Sequence, residues 1–207
     1  DHTLTAFKSK EPPRVEDSRL LDILVASGVD RIVFDRGFSK PESPAADALL
    51  EETLGRYRGK VWLGLSPSVE IGSKAVPQIV PLPRFAKQAN IAAMTGIGGP
   101  FGLSLSLPTQ IGFEGETYPS LSAVLAGFDG APITYRPDYA FDHLTVPTYS
   151  YVDVVKGLVP PDRFEGKRVV IGAAHYQSAD FFLLPFSKEH LVPGAYFHVM
   201  GAHTLKR

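Results

Sequence analysis

The chain contains no cysteine among its 207 residues. Disulfide bridges, thiolate-held zinc and thiol catalysis are therefore excluded from its chemistry. It also lacks any run of about 18 apolar residues, so no transmembrane helix is expected within it. Neither sign of charge dominates: 21 basic residues face 22 acidic ones, and the net charge is −1. That balance, with no long like-charge run, excludes the electrostatic footprint of a nucleic-acid or anionic-membrane binder. No G-x-x-x-x-G-K-[ST] loop, G-x-G-x-x-G turn or G-x-S-x-G elbow occurs, and no signal peptide is visible. Because the sequence opens abruptly at Asp1, we expect it to be a piece of a longer protein.

What is present is a chain of ordinary globular composition, 44% apolar and 21% charged. Such a chain can bury a substantial core as one domain spanning residues 1–207. The 19 glycines and 18 prolines predict several ordered turns and long connections.

One stretch organises the rest. Glu165-Gly166-Lys167 makes a turn, Val169-Val170-Ile171 after Arg168 runs apolar without alternation, and Gly172 breaks it. A short run of this kind predicts a strand covered on both faces, as in a parallel sheet between helices. Upstream, Asp17 or Ser18 is expected to cap a helix carrying Leu20, Leu21, Leu24 and Val25, with Gly28 as its left-handed stop. Residues 31–35 read as a buried strand, Ser43-Pro44 opens a second helix, and residues 60–65 form a third strand. This spacing predicts right-handed βαβ units.

Pro77, Pro81 and Pro83 argue against helix over residues 66–84, and the alternation of Leu103, Leu105 and Leu107 predicts a strand with one wet face. A helix over 118–127, a strand over 132–136, a short helix after Tyr149-Ser150 and a last helix after Pro193-Gly194 complete the reading. Residues 4–7 could add a short edge strand. The fold class is thus α/β: a mainly parallel central sheet with helices on both faces and an antiparallel excursion around 90–115.

Several groups invite a chemical reading. Gly96-Ile97-Gly98-Gly99-Pro100 has the glycines of a phosphate loop but not the spacing, and Pro100 removes a donor, so a structural turn fits better. His198 and His203 stand five apart, one step off the spacing that aligns two metal ligands on a helix, and read as surface or core histidines. Ser178 near His175 and Asp180 lacks the context of a hydrolytic triad. Asp35, Arg36, Tyr135, Arg136, His175 and Asp180 differ, because all are polar and all should follow strand carboxyl ends. In an open parallel sheet that edge is where ligands sit. The six form the expected ligand-binding rim; the plainer alternative is that Asp35 and Asp180 cap helices or fix loops. No metal or cofactor is expected.

In order, the motifs resemble one family. Pro13-Arg14 precedes a leucine-rich helix, followed by Gly28-Val29-Asp30-Arg31-Ile32-Val33-Phe34-Asp35-Arg36-Gly37-Phe38. Then come Tyr118-Pro119-Ser120-Leu121, Ile133-Thr134-Tyr135-Arg136 and Tyr149-Ser150-Tyr151-Val152-Asp153-Val154-Val155-Lys156-Gly157. Phe164-Glu165-Gly166-Lys167-Arg168 leads into Val169-Val170-Ile171-Gly172, with Asp180, Leu184-Pro185 and Pro193-Gly194-Ala195-Tyr196-Phe197-His198 beyond. Together, over roughly residues 12–205, these resemble the CHASE2 domain, an extracytoplasmic sensor module of bacterial membrane receptors. Two elements depart from the family pattern: the expected Trp-Pro is replaced by Lys10-Glu11-Pro12-Pro13, and an Asp-Gly-Val-x-Arg element near 100–110 by residues 103–108.

The resemblance implies a non-catalytic sensor of a small-molecule or environmental stimulus, on the periplasmic or extracellular side of the membrane. It implies flanking transmembrane helices and a cytoplasmic cyclase, phosphodiesterase or kinase as output, with a second copy as a candidate partner. The chain's end at Lys206-Arg207 fits excision before such a span. Read this way, the rim residues Asp35, His175 and Asp180 would be relayed to His198 and His203 on the last helix. The rival expectation is a soluble α/β hydrolase-like enzyme using His175 and Asp180.

Overall fold

The computed structural model describes residues 11–67, 69–71, 74–76, 78–98, 104–174, 181–185 and 191–207. Pro13 holds the backbone extended (φ −62°, ψ 149°), and helix α1 (Arg14–Ala26) begins directly behind it. The expected cap at Asp17 or Ser18 is thereby corrected. Both residues lie inside the helix and are buried, and Ser18 Oγ bonds back to the carbonyl of Arg14 at 3.2 Å. The stop at Gly28 is as expected: its φ is +78°, and its N–H donates to the Val25 carbonyl at 3.0 Å.

Strand β1 (Arg31–Asp35) follows, then helix α2 (Pro44–Arg56), whose Ser43 hydroxyl accepts from the Ala46 N–H at 3.2 Å. Strand β2 (Val61–Leu65) leads through a small hairpin, β3 (Val69–Ile71) and β4 (Lys74–Val76), to a one-turn helix α3 (Pro83–Ala86) and strand β5 (Asn90–Ala93). Four strands pair in the order β11-β1-β2-β5, β11 being Arg168–Gly172, and every pairing is parallel. The expected fold class is therefore the observed one.

Helices cover both faces of this sheet. Ile32 and Phe34 of β1 pack with Leu20, Leu21 and Leu24 of α1, Leu50 and Leu54 of α2, and Val154 and Val155 of helix α5 (Tyr151–Val155). Val33, on the opposite side, meets helix α4 (Leu121–Ala126) and helix α6 (Gly194–Leu205) through Leu121, Val124, Leu125 and Ala202. Ile32, Val33 and Phe34 are each 0% exposed, a burial of roughly 1.5–3 kcal/mol per side chain. β1, rather than the stretch at β11, is thus the centre of the fold. β11 lies at the sheet edge and its apolar residues are only half buried, because among the described residues one flank has no strand beside it. It is nonetheless covered on both faces, as expected: Val169 and Ile171 pack against the core on one side of the sheet and Val170 against that on the other.

Apart from the β3–β4 hairpin, the antiparallel part follows β5. Strands β6 (Ile97–Gly98), β7 (Ser104–Pro108) and β10 (Thr134–Tyr135) form one small sheet, and β8 (Gln110–Phe113) with β9 (Glu116–Pro119) a hairpin. Tyr118 and Pro119, expected in a helix, belong to β9; Ser120 caps α4 instead, accepting from the Ala123 N–H at 3.2 Å. A further pair, β12 (Phe181–Leu183) and β13 (Leu191–Pro193), leads into α6. The candidate strand at residues 4–7 lies outside the described residues. Among those described, no helix is long and apolar enough to cross a membrane.

Helix α4 is fastened to the amino ends of the sheet. Arg31 donates to the Val124 carbonyl and Arg168 to the Leu125 carbonyl, both at 3.1 Å, so two cations meet the negative end of the helix. Gly127 closes that end at φ +70°, and a Cβ there would stand 2.5 Å from Arg168 Nη1. Gly127→Ala is expected to cost about 1–3 kcal/mol, from the left-handed backbone and the displaced guanidinium together. Urea unfolding at neutral pH measures it.

Candidate functional site at the sheet's carboxyl edge

Chain order makes one position special. β1, β2 and β5 step across the sheet in one direction, and β11 joins on the other side of β1. The direction of winding therefore reverses between β1 and β11, the position at which open parallel sheets leave a cleft outside their strand tips. Asp35 and Gly172 are register partners at those tips. A Cβ on Gly172 would lie 2.8 Å from Ala195 Cβ, so the first turn of α6 sits directly on the tip of β11.

One turn further along α6 is His198. Its Nε2 stands 3.8 Å from Asp35 Oδ1, and its Nδ1 stands 3.3 Å from Ser122 Oγ on α4. The Asp35 side chain is 4% exposed and that of His198 2%. Complete burial holds the imidazole down at about 4, against an ordinary 6.5, so it is neutral at physiological pH despite the adjacent carboxylate. At 3.8 Å the pair is in electrostatic contact without a hydrogen bond.

Tyr135 closes the far side of this line. Both its hydroxyl and Ser122 Oγ would lie 2.7 Å from a Cβ on Gly201, so the glycine admits them against α6. Burial pushes the phenol up to about 12, with the Ser122 hydroxyl pulling the other way. Asp35, His198, Ser122 and Tyr135 thus form a buried polar seam joining β1, α6, α4 and β10.

The other expected rim residues divide. Arg36 follows Asp35 but turns towards α1, where its guanidinium meets the buried carboxylate of Asp17 and its plane lies 4.4 Å from the Phe38 ring centre. Tyr151 of α5 donates to the same carboxylate at 3.0 Å. Arg136, next to inward-facing Tyr135 on a strand, points outward and is exposed beside a recess of about 380 Å³. His175 and Asp180 lie outside the described residues. His203 does not join His198: it stacks on Phe141 with ring centres 4.3 Å apart. Among the described residues, no three histidine or carboxylate side chains converge as a metal site.

Sequence reasoning passed over Ser122, Asp17 and Tyr151 as participants. Ser122 carries no local signal, whereas Asp17 reads as a helix start and Tyr151 as part of a helix start and family motif, neither pointing to the other.

Taken with its winding order, this architecture places the chain among α/β domains with an open parallel sheet. Its particular family follows from sequence comparison: the CHASE2 domain matches residues 1–206, and the chain belongs to that family. CHASE2 domains are extracellular sensory domains of signalling receptors. No curated protein and no solved structure matches the chain.

Proposed function

We propose that this domain detects a small-molecule or environmental stimulus at the carboxyl edge of its sheet. The last helix, α6, carries the change towards the membrane and a cytoplasmic cyclase, phosphodiesterase or kinase. The observation that supports this reading is the contact of Asp35, at the tip of the central strand, with the buried imidazole of His198 on α6. A ligand moves such a system only by binding two conformations unequally. Charge arriving near Asp35 alters what the carboxylate offers His198, and hence how firmly α6 is held against the sheet. Tyr135 contributes from β10, and His175 and Asp180, next after β11 in sequence, complete the proposed ligand set. Arg36 serves as the anchor of the loop after β1, through Asp17.

In the intact receptor, Asp35→Asn is expected to change basal output by about fivefold or more, the lower end of ordinary coupling energies. The readout is the rate of nucleotide turnover or phosphorylation by the output domain. Unchanged output in both Asp35→Asn and Asp35→Ala receptors, at normal expression, would remove Asp35 from the signalling route.

A further inference from the structure

The recess beside Arg136 lies apart from the buried seam and has its own chemistry. Its volume is about 380 Å³, near the lower end of the roughly 300–1,000 Å³ usual for small-molecule pockets. Four of its lining residues, Leu105, Pro137, Tyr139 and Pro185, give it a largely apolar wall. The fifth, Arg136, is exposed at the rim and makes no ion pair or hydrogen bond among the described residues. The wall is preformed: two prolines stiffen it, and the Tyr139 hydroxyl is fixed by donating to the Leu105 carbonyl at 2.8 Å.

We propose that this recess binds a small organic anion, a carboxylate carried on a flat apolar body. The planar guanidinium of Arg136 matches a carboxylate in two-point fashion, while Tyr139 and the prolines take the apolar part. Neither half suffices alone, because a bare anion leaves the wall wet and a bare apolar body leaves the cation unused.

The same segment grips the end of α6. The Asp138 N–H donates to Thr204 Oγ1 at 2.8 Å, Arg207 donates to Asp138 Oδ2 at 2.6 Å, and Phe141 stacks on His203. A ligand held by Arg136 and Tyr139 straddles the point from which Asp138 reaches the last helical turn. Binding in the recess stands without the sensory reading given above; its transmission to α6 rests on that reading.

The test uses the 207-residue chain and three probes followed by NMR titration: phenylacetate, 2-phenylethanol and acetate. Phenylacetate is expected to bind at least about tenfold more tightly than either comparator, and Arg136→Gln to weaken it by about tenfold or more. Arg19→Gln, a surface change on α1, should leave it unaltered. Thr204 and His203 signals should move as phenylacetate binds. Equal affinity for phenylacetate and 2-phenylethanol, or no loss in Arg136→Gln, overturns the anion site. So does absence of any phenylacetate response up to about 20 mM, well beyond the millimolar range of weak specific ligands. Tight, Arg136-dependent binding with still Thr204 and His203 signals upholds the site and overturns its connection to the helix.

Discussion

Arg36→Met is expected to lower stability by about 3–5 kcal/mol, because it strands the Asp17 carboxylate in the core without its main counter-charge. Asp17 is 0% exposed at its side chain and Arg36 14%, so water screens neither effectively. What remains around the carboxylate is the Tyr151 hydroxyl at 3.0 Å and the more distant charge of Arg14. Burial already pushes the Asp17 carboxyl upwards even with Arg36 in place. Removing the arginine raises it further, and protonation then relieves the strain. The deficit of Arg36→Met should accordingly shrink as pH is lowered, whereas a simple packing defect would be independent of pH. The double replacement Asp17→Leu with Arg36→Met should recover at least half the loss, since apolar pairs of similar volume are often tolerated in place of buried ion pairs. Urea unfolding of the three variants at pH 7 and pH 5 decides it. A single-variant loss below about 1 kcal/mol would mean that the pair is solvated after all.

The second large effect concerns acid. His198 has a folded-state value near 4 and an ordinary unfolded value of 6.5, so between these limits the unfolded chain binds the extra proton. Stability is complete above about pH 6.5 and falls as pH drops towards 4. The loss is about 3 kcal/mol, from a separation of roughly two and a half units at 1.36 kcal/mol each. Asp35 acts against this loss, because its carboxylate would favour an imidazolium 3.8 Å away, but burial prevails. His198→Gln, which keeps a polar partner for Ser122, should remove most of the acid-dependent loss while costing little at neutral pH. The measurement is the difference in urea midpoint between pH 7 and pH 4 for the two proteins. Parallel pH profiles would show that burial does not lower His198 in the folded state.

How far the sequence speaks for this fold depends on whether the deciding interaction is local. Ser43-Pro44 and Gly28 mark their helix ends because the cap hydroxyl and the positive φ are set within a few residues. Asp17 and Ser18 mislead for the same reason. They have the chemistry of caps, but Pro13 starts the helix earlier and leaves Asp17 to be claimed by Arg36 from another element. The run at β11 reads as a buried strand, yet its position at the edge is fixed by sheet order, which hydrophobic patterning does not encode. At the candidate site, Asp35 was visible as a strand-tip carboxylate. Its neighbour His198 was expected only as the far end of a relay to the last helix; their direct contact spans 163 residues (198 − 35 = 163) and is made by the placing of α6 over β11. Arg36 and Arg136 illustrate the converse: each sits beside a seam residue in sequence, and backbone direction carries each elsewhere.

The pairing of Arg31 with Arg168 has a kinetic side. The first three parallel strands lie within a separation of 62 residues (93 − 31 = 62, from Arg31 to Ala93), whereas β11 must travel back across 137 (168 − 31 = 137) to reach its place. Chain-closure entropy delays contacts of that span, so the edge strand and the helix that follows it dock late in assembly. An edge strand with half-exposed side chains is also among the cheaper parts of a sheet to release. The segment expected to arrive last is then the one bearing His198, and the signalling route proposed above needs no separate hinge to make that helix its moving part.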